Sequence, residues 1–173
     1  MEFRKIDSTQ AEMLSQLSKA IYKEYYLHLW HPGGAEWYQN EHAYHPDKLM
    51  AELKDPNNQH FVVFENDRPM GYLKIRINAE LQGSEAMNCL EIERIYLHKA
   101  IAGKGIGRKL MLLSESIAIE NHKQMIFLKA MDSSKDAIAF YQKMGYSICG
   151  TWILPFEQMK EAYRGMVILS KRI

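Results

Sequence analysis

Three groups of residues in this chain have the types and spacing to do chemistry. Glu91 and Glu93 stand two apart in Leu90-Glu91-Ile92-Glu93-Arg94-Ile95-Tyr96. On a strand, that spacing puts both carboxylates on one face at about 7 Å, where repulsion and burial raise one toward neutrality and make it a proton acceptor. The alternative is an exposed pair, or one compensated by Arg94. Ala102-Gly103-Lys104-Gly105-Ile106-Gly107-Arg108 forms the second group, a glycine turn between a strand and a helix. Glycines allow positive φ and close backbone approach, and the first amides of a helix lack internal partners, so the segment makes an anion site whose natural ligand is a phosphate. A tight turn using glycine only for geometry is the competing reading. The third group is two HxxH pairs, His28/His31 and His42/His45. No Cys or HExxH pattern completes a site around them, so they are read as capping or surface residues, with no metal expected.

Spacing excludes two phosphate-binding motifs. Gly103, Gly105 and Gly107 follow G-x-G-x-G where a dinucleotide fingerprint needs G-x-G-x-x-G, and Lys104 precedes Gly105 where a P-loop needs Ser or Thr.

The elements that must position these groups are legible as periodicity. Glu2 to Ile6 reads as a strand, and a Thr9/Glu12 capping box opens a helix whose apolar face is Leu14, Leu17, Ile21 and Tyr25. His28 to His45 is irregular and aromatic, broken by Pro32-Gly33-Gly34, with a short helix expected from Pro46 to Leu53. A hairpin follows, with His60 to Phe64 and Leu73, Ile75 and Ile77 flanking a turn at Asn66-Asp67-Arg68-Pro69, and with Tyr72, Lys74 and Arg76 on the alternate face. After the polar stretch Asn78 to Asn88 come a strand from Cys89 to His98, the glycine turn, a helix carrying Ile106, Leu110, Leu113 and Ile117, and a strand from Met125 to Met131. A helix from Ser134 to Met144, capped by Gly145, and strands from Tyr146 to Leu154 and Tyr163 to Ser170 complete the order.

Ile95 to Lys109 resembles the acetyl-coenzyme A signature of the GNAT superfamily of N-acetyltransferases, Gln/Arg-x-x-Gly-x-Gly/Ala. Ala102 stands where the family usually has Gln or Arg. Ala137-Ile138-Ala139-Phe140-Tyr141-Gln142-Lys143-Met144-Gly145-Tyr146 is similar to the later A-I-x-F-Y-x-K-x-G-F motif of the same superfamily. The run Leu90 to Tyr96 together with the Tyr141 motif is similar to bacterial spermidine/spermine N-acetyltransferases. The resemblance implies an α/β (α+β) acyl-CoA N-acyltransferase fold, with a mixed, mostly antiparallel twisted sheet and flanking helices in one domain over residues 1–173. Its central parallel pair, Cys89 to His98 and Met125 to Met131, would splay around the cofactor.

The resemblance further implies acetyl-CoA as co-substrate. Main-chain groups of Ile95, Tyr96 and Leu97 would hold its acetyl and pantetheine arm. Amides of Ala102, Gly103, Lys104, Gly105, Ile106 and Gly107 would hold its pyrophosphate, assisted by Arg108. Ser134 occupies the place of a family Asn that contacts the arm. Glu91 aligns with the general base of histone-type members, with Glu93 as the alternate. Tyr141, which composition alone assigns to the core, becomes the acid that protonates the departing thiolate. An acceptor amine with a pKa of about 10 costs about 4 kcal/mol to deprotonate at pH 7, so a base is needed. Trp30, Trp37, Tyr38, Glu41, His42 and Tyr44 fall where the superfamily builds acceptor specificity, and aromatic faces with carboxylates suit a small cationic amine such as a polyamine. Equally, these aromatics cover the core or a second copy of the chain in a homodimer. A protein N-terminus, an amino acid, or acetyl-CoA sensing without turnover are the rival functions.

Composition limits the partners. The 173 residues are 47% hydrophobic and 25% charged, with net charge +1, the balance of an ordinary globular chain. Residues 1 to 98 hold 15 acids against 10 bases and the remaining 75 hold 6 against 12, so −5 faces +6 along the chain. One basic loop falls short of a surface that tracks nucleic acid. No run approaches the roughly 18 apolar residues of a membrane span, and Met1 to Gln10 lacks a signal peptide's apolar region, so no membrane partner and a cytoplasmic location are expected. Cys89 and Cys149 are read as reduced packing residues.

Overall fold

A computed structural model describes residues 1–85 and 87–173. Ala86, within the polar stretch expected after the hairpin, lies outside the described residues. Seven strands, β1 (Glu2–Lys5), β2 (Asn58–Glu65), β3 (Arg68–Ala79), β4 (Cys89–Leu97), β5 (Met125–Met131), β6 (Ser147–Ile153) and β7 (Gly165–Arg172), form one sheet in the order β1-β2-β3-β4-β5-β7-β6. Among the described residues, only β4 and β5 run parallel, and every other neighbouring pair is antiparallel. The helices are α1 (Ala11–Tyr25), the single turn α2 (Gly34–Trp37), α3 (Pro46–Lys54), α4 (Ile106–Glu120) and α5 (Lys135–Lys143).

Alternation along the hairpin sends side chains to two covered faces. Val63, Leu73 and Ile75 join Leu90, Ile92, Ile126 and Leu128 beneath α4 and α5, meeting Ile106, Leu110, Met111, Ile117 and Ile138. Val62, Phe64 and Tyr72 turn the other way onto Leu14, Leu17 and Ile21 of α1 and Leu49 of α3. Because helices cover both faces, Tyr72 and Lys74 on the alternate face are buried as well. Among the described residues, no helix is long and apolar enough to cross a membrane.

Several local expectations shift. The first cap is Asp7 with Gln10, not Thr9 with Glu12: the Asp7 carboxylate accepts from Thr9 N–H at 2.9 Å while Gln10 accepts from Asp7 N–H at 3.2 Å. Asp7 wins because its carboxylate reaches the start of the short 3-10 turn Ser8–Gln10 that precedes α1. The hairpin turn is only Asn66-Asp67, both at positive φ, as a two-residue connection between right-twisted strands requires. The aromatic segment is more regular than its sequence suggests, since α2 continues into a π-helical stretch, Tyr38–Ala43. Pro46 then starts α3, with His45 Nδ1 accepting from Asp47 N–H at 3.2 Å. Cys89 is buried, whereas Cys149 sits exposed on the edge strand β6 and packs into no core.

Candidate active site

The site is built where β4 leaves β5. Parallel pairing runs only from Cys89↔Met125 to Ile92↔Leu128. On the other side of β4, the register against β3 slips between Lys74↔Arg94 and Ile75↔Ile92, leaving Glu93 as the extra residue of a bulge. The bulge reverses the alternation. Leu90 and Ile92 face the α4/α5 layer, and so do Ile95 and Leu97, three and five positions past Ile92. From the bulge onward the β5-facing edge of β4 has no strand partner, which opens a wedge between the two strands. Gly71 of β3 lets the strand press close here: a Cβ would lie 2.8 Å from the Tyr96 carbonyl oxygen and 2.5 Å from Leu97 Cδ2.

The end of β4 is tied to the first helix. The Glu24 carboxylate meets His98 Nδ1 at 2.7 Å and accepts from Lys99 N–H at 2.8 Å. These contacts hold the Glu24 carboxyl below its usual range, the Lys99 amide contributing most. Ile101 and Ile106, both buried, anchor the two ends of the glycine turn, and Ala102 to Gly105 between them stand exposed. Gly103 and Gly105 adopt φ of +76° and +77°, and the space a Cβ would take at either is open. Lys109 N–H makes the first bond of α4, to the Gly105 carbonyl. The amides of Ile106, Gly107 and Arg108 therefore precede the helical ladder and point outward at the positive end of α4, beside the exposed Lys104, Arg108 and Lys109. Residues of this kind fit a phosphate or pyrophosphate group.

A cleft of about 400 Å³ occupies the wedge, within the range of small-molecule sites. Glu91, Glu93, Ile95, Tyr96, Ser134 and Tyr141 line it, as do Tyr38 and His42. Ser134 sits at the N-terminus of α5, yet its hydroxyl caps nothing and is free for another partner. Burial alone pushes the Tyr141 phenol up to about 12, so it stays protonated at neutral pH. Burial first, and the charges of Lys48 and Arg94 after it, lower His42, which is uncharged at the same pH.

The carboxylate pair differs from its expected form. Glu91 does not face Glu93 alone: its Oε1 lies 3.0 Å from Lys129 Nζ and its Oε2 3.3 Å from Arg76. Glu93 meets Lys74 at 2.8 Å, Arg94 at 3.5 Å and Arg76 at 4.0 Å. Lys74 and Arg94 continue to Glu52 of α3 at 3.0 and 3.1 Å. Burial raises the Glu52 carboxyl, but His60, Arg94 and Lys74 outweigh it and hold it well below the ordinary range. The Arg94 contact matches one alternative that the sequence offers, whereas Lys74, Arg76 and Lys129 come from neighbouring strands, and a lysine inside the apolar strand Met125–Met131 is the signal the sequence carries for them.

Four of the six expected acceptor residues lie outside the cleft lining. Trp30 is buried, with Nε1 donating to Tyr22 Oη at 2.8 Å. Tyr44 is 1% exposed, packed on Tyr22 and Tyr38. Trp37 stacks on His42 from behind, and Glu41 points to solvent. Their places are taken by Tyr22, Tyr26, Trp152 and Phe156. Leu97 too falls outside the lining, one residue beyond Tyr96. Among the described residues, no group of three or more His, Cys, Asp or Glu is arranged to hold a metal ion.

The sequence profile of the Acetyltransferase (GNAT) family matches residues 19–146, across the wedge, the glycine turn and Tyr141. The chain belongs to this family. It is 30% identical over 105 residues to an uncharacterized N-acetyltransferase from the pepI 3′ region of Lactobacillus delbrueckii subsp. lactis, a match covering 61% of each protein. The chain thus spans about three fifths of that relative's length. Among solved structures, the PaiA N-acetyltransferase of Thermoplasma acidophilum in complex with coenzyme A superposes with a TM-score of 0.77 at 20% identity, over 99% of this chain and 98% of that one. A variant of the spermidine N-acetyltransferase SpeG from Vibrio cholerae gives 0.70 at 15%, over 99% and 92%. At these identities the likeness shows the shared GNAT fold.

Proposed function

We propose that this GNAT protein transfers an acetyl group from acetyl-CoA to a primary amine of a small molecule by direct attack. The observation that carries this reading is the alignment of three features along one wedge: an open glycine turn at the N-terminus of α4, a β4 edge without a strand partner, and a neutral buried phenol at Tyr141. Acetyl-CoA held there supplies an activated acyl thioester. The amides of Gly103 to Arg108 bind its phosphates, and the free Ser134 hydroxyl takes the arm. The main-chain N–H groups of Ile95 and Leu97, on the edge of β4 turned away from β3, would meet the carbonyl oxygen, where negative charge develops. Glu91 accepts the amine proton through water, and Tyr141 holds the proton that the departing sulfur requires. Neither Cys lines the cleft, so no covalent enzyme intermediate is invoked.

The small cationic acceptor read from the sequence keeps support from the aromatic walls. The polyamine reading has less, because every carboxylate in the lining already holds cations.

The test is release of coenzyme A thiol with a panel of small amines, amino acids and N-terminal peptides, alongside calorimetric binding of coenzyme A. Turnover that falls about 10²- to 10⁴-fold in Tyr141→Phe, at unchanged coenzyme A affinity, is expected for loss of a general acid. Tight coenzyme A binding with no turnover of any amine would overturn the enzymatic reading in favour of a sensor.

A further inference from the structure

We propose that the acceptor is a primary monoamine carried on an aromatic or other apolar body, and that Lys129 is the residue that turns polyamines away. The inference rests on the acetyltransferase reading and narrows its acceptor. Glu91 and Glu93 are the only acids among the described residues that line the cleft, and each is shared among cations supplied by the chain itself. Glu91 lies between Lys129 at 3.0 Å and Arg76 at 3.3 Å, and Glu93 is met by Lys74, Arg94 and Arg76. With Glu52 included, three carboxylates stand against four cations. One incoming ammonium can lose its proton and react. A second or third ammonium on the same molecule finds no free carboxylate in the lining and meets Lys129 and Arg94 instead, a like-charge juxtaposition that discriminates against the wrong ligand.

The ring nearest this cation does not relieve it. An aromatic face can hold an ammonium, but Lys129 Nζ already lies 5.8 Å from the Trp152 ring. Much of the remaining wall is apolar or aromatic, with Tyr22, Tyr26, Leu29, Leu154, Phe156 and Met159. Such walls gain from an uncharged ring or branched chain and lose from a desolvated charge. Of the cleft-lining cations, Lys129 is set to decide the matter. Its side chain is 34% exposed against 12% for Arg94, so it stands toward the solvent side of the cleft and meets the distal part of an acceptor whose amine is at Glu91.

The experiment compares 2-phenylethylamine with spermidine in kcat/KM at saturating acetyl-CoA, and in calorimetric binding to the protein without acetyl-CoA, for the natural chain and for Lys129→Gln. The expected result is a preference for 2-phenylethylamine of at least about tenfold in both readouts, narrowed about tenfold in Lys129→Gln, whose thermal unfolding is checked in parallel. Spermidine matching or exceeding the monoamine in an active enzyme overturns the inference and leaves the acetyltransferase reading standing. Selective binding of 2-phenylethylamine with no turnover supports the selectivity and overturns the enzymatic reading. Neither binding nor turnover of any amine overturns both.

Discussion

Gly105 and Gly107 lie two residues apart in the same motif, yet only at Gly105 should alanine lower stability. Gly105 has φ of +77° and empty space where a Cβ would go, so the cost of Gly105→Ala is conformational rather than steric. Holding an L-residue in the left-handed region costs roughly 1–2 kcal/mol. For a chain of this size each kcal/mol moves Tm by about 2–4 °C, giving an expected fall of about 2–8 °C. Gly107 is the second residue of α4 at negative φ, and its Cβ would meet Phe140 Cζ at 3.6 Å, an ordinary contact. Exchanging glycine for alanine in a helix gains up to about 1 kcal/mol, so Gly107→Ala should leave Tm unchanged or raise it by up to about 4 °C. Calorimetry with coenzyme A separates strain from function. If Gly105→Ala relieves its strain by turning the loop out of the left-handed region, the outward amides turn with it, and the Kd for coenzyme A should rise about tenfold, worth about 1.4 kcal/mol. An unchanged Tm together with an unchanged Kd in Gly105→Ala would refute the reasoning, because it would mean that the turn does not need its left-handed residue.

Three further outcomes follow from particular contacts. Gly71→Ala should cost about 1–3 kcal/mol in urea unfolding, the usual penalty of overpacking, because the Tyr96 carbonyl cannot swing aside as a flexible side chain would; a neutral result would mean that β3 and β4 separate freely. Stability should fall with acid in two stages. Burial lowers His60, with Glu52 opposing, and Glu52 is itself held low. Both folded groups bind fewer protons than their unfolded counterparts, so their contributions are complete above the unfolded values. The first is lost as pH drops below about 6.5 and the second below about 4.5. Denaturation in His60→Gln should show a smaller first stage, with His42, which burial also lowers, supplying what is left. Because Tyr141 is pushed up to about 12, kcat should show no descending limb from its ionisation up to about pH 10; a limb there that disappears in Tyr141→Phe would place the phenol in a more polar setting than the cleft provides.

What the sequence could show depended on how local each feature is. The glycine turn, β5 and α5 are contiguous segments, and their periodicity placed them within a residue or two. The aromatic segment was legible as aromatic but not as to which rings face the cleft, because that choice is made by residues far along the chain. Trp30 is held by Tyr22, Tyr44 is enclosed by Tyr22 and Tyr38, and Phe156 reaches in from beyond the last helix to line the cleft in their stead. The cation network is less local still. Lys74 meets Glu52 and Glu93, and Glu91 meets Lys129 thirty-eight positions away; no periodicity in a single segment encodes such pairs.

The bulge at Glu93 is an intermediate case, and it explains why the site lies where it does. A regular strand would continue the parity of Leu90 and Ile92 through Arg94 and Tyr96, placing a cation and a phenol beneath α4. The sequence instead puts its next apolar residues at Ile95 and Leu97, one step out of phase, and the slip in register against β3 accommodates them. Arg94 and Tyr96 are thereby delivered to the face that carries Glu52, Tyr44 and Tyr72, and Glu93 is left at the strand's point of divergence from β5. A bulge shifts the register and increases local twist, so the same residue that supplies a carboxylate to the cleft accompanies the opening of the wedge. A one-residue phase change in an apolar pattern is visible in sequence, and here it marks the point at which β4 stops pairing with β5 and a substrate can take the place of a strand.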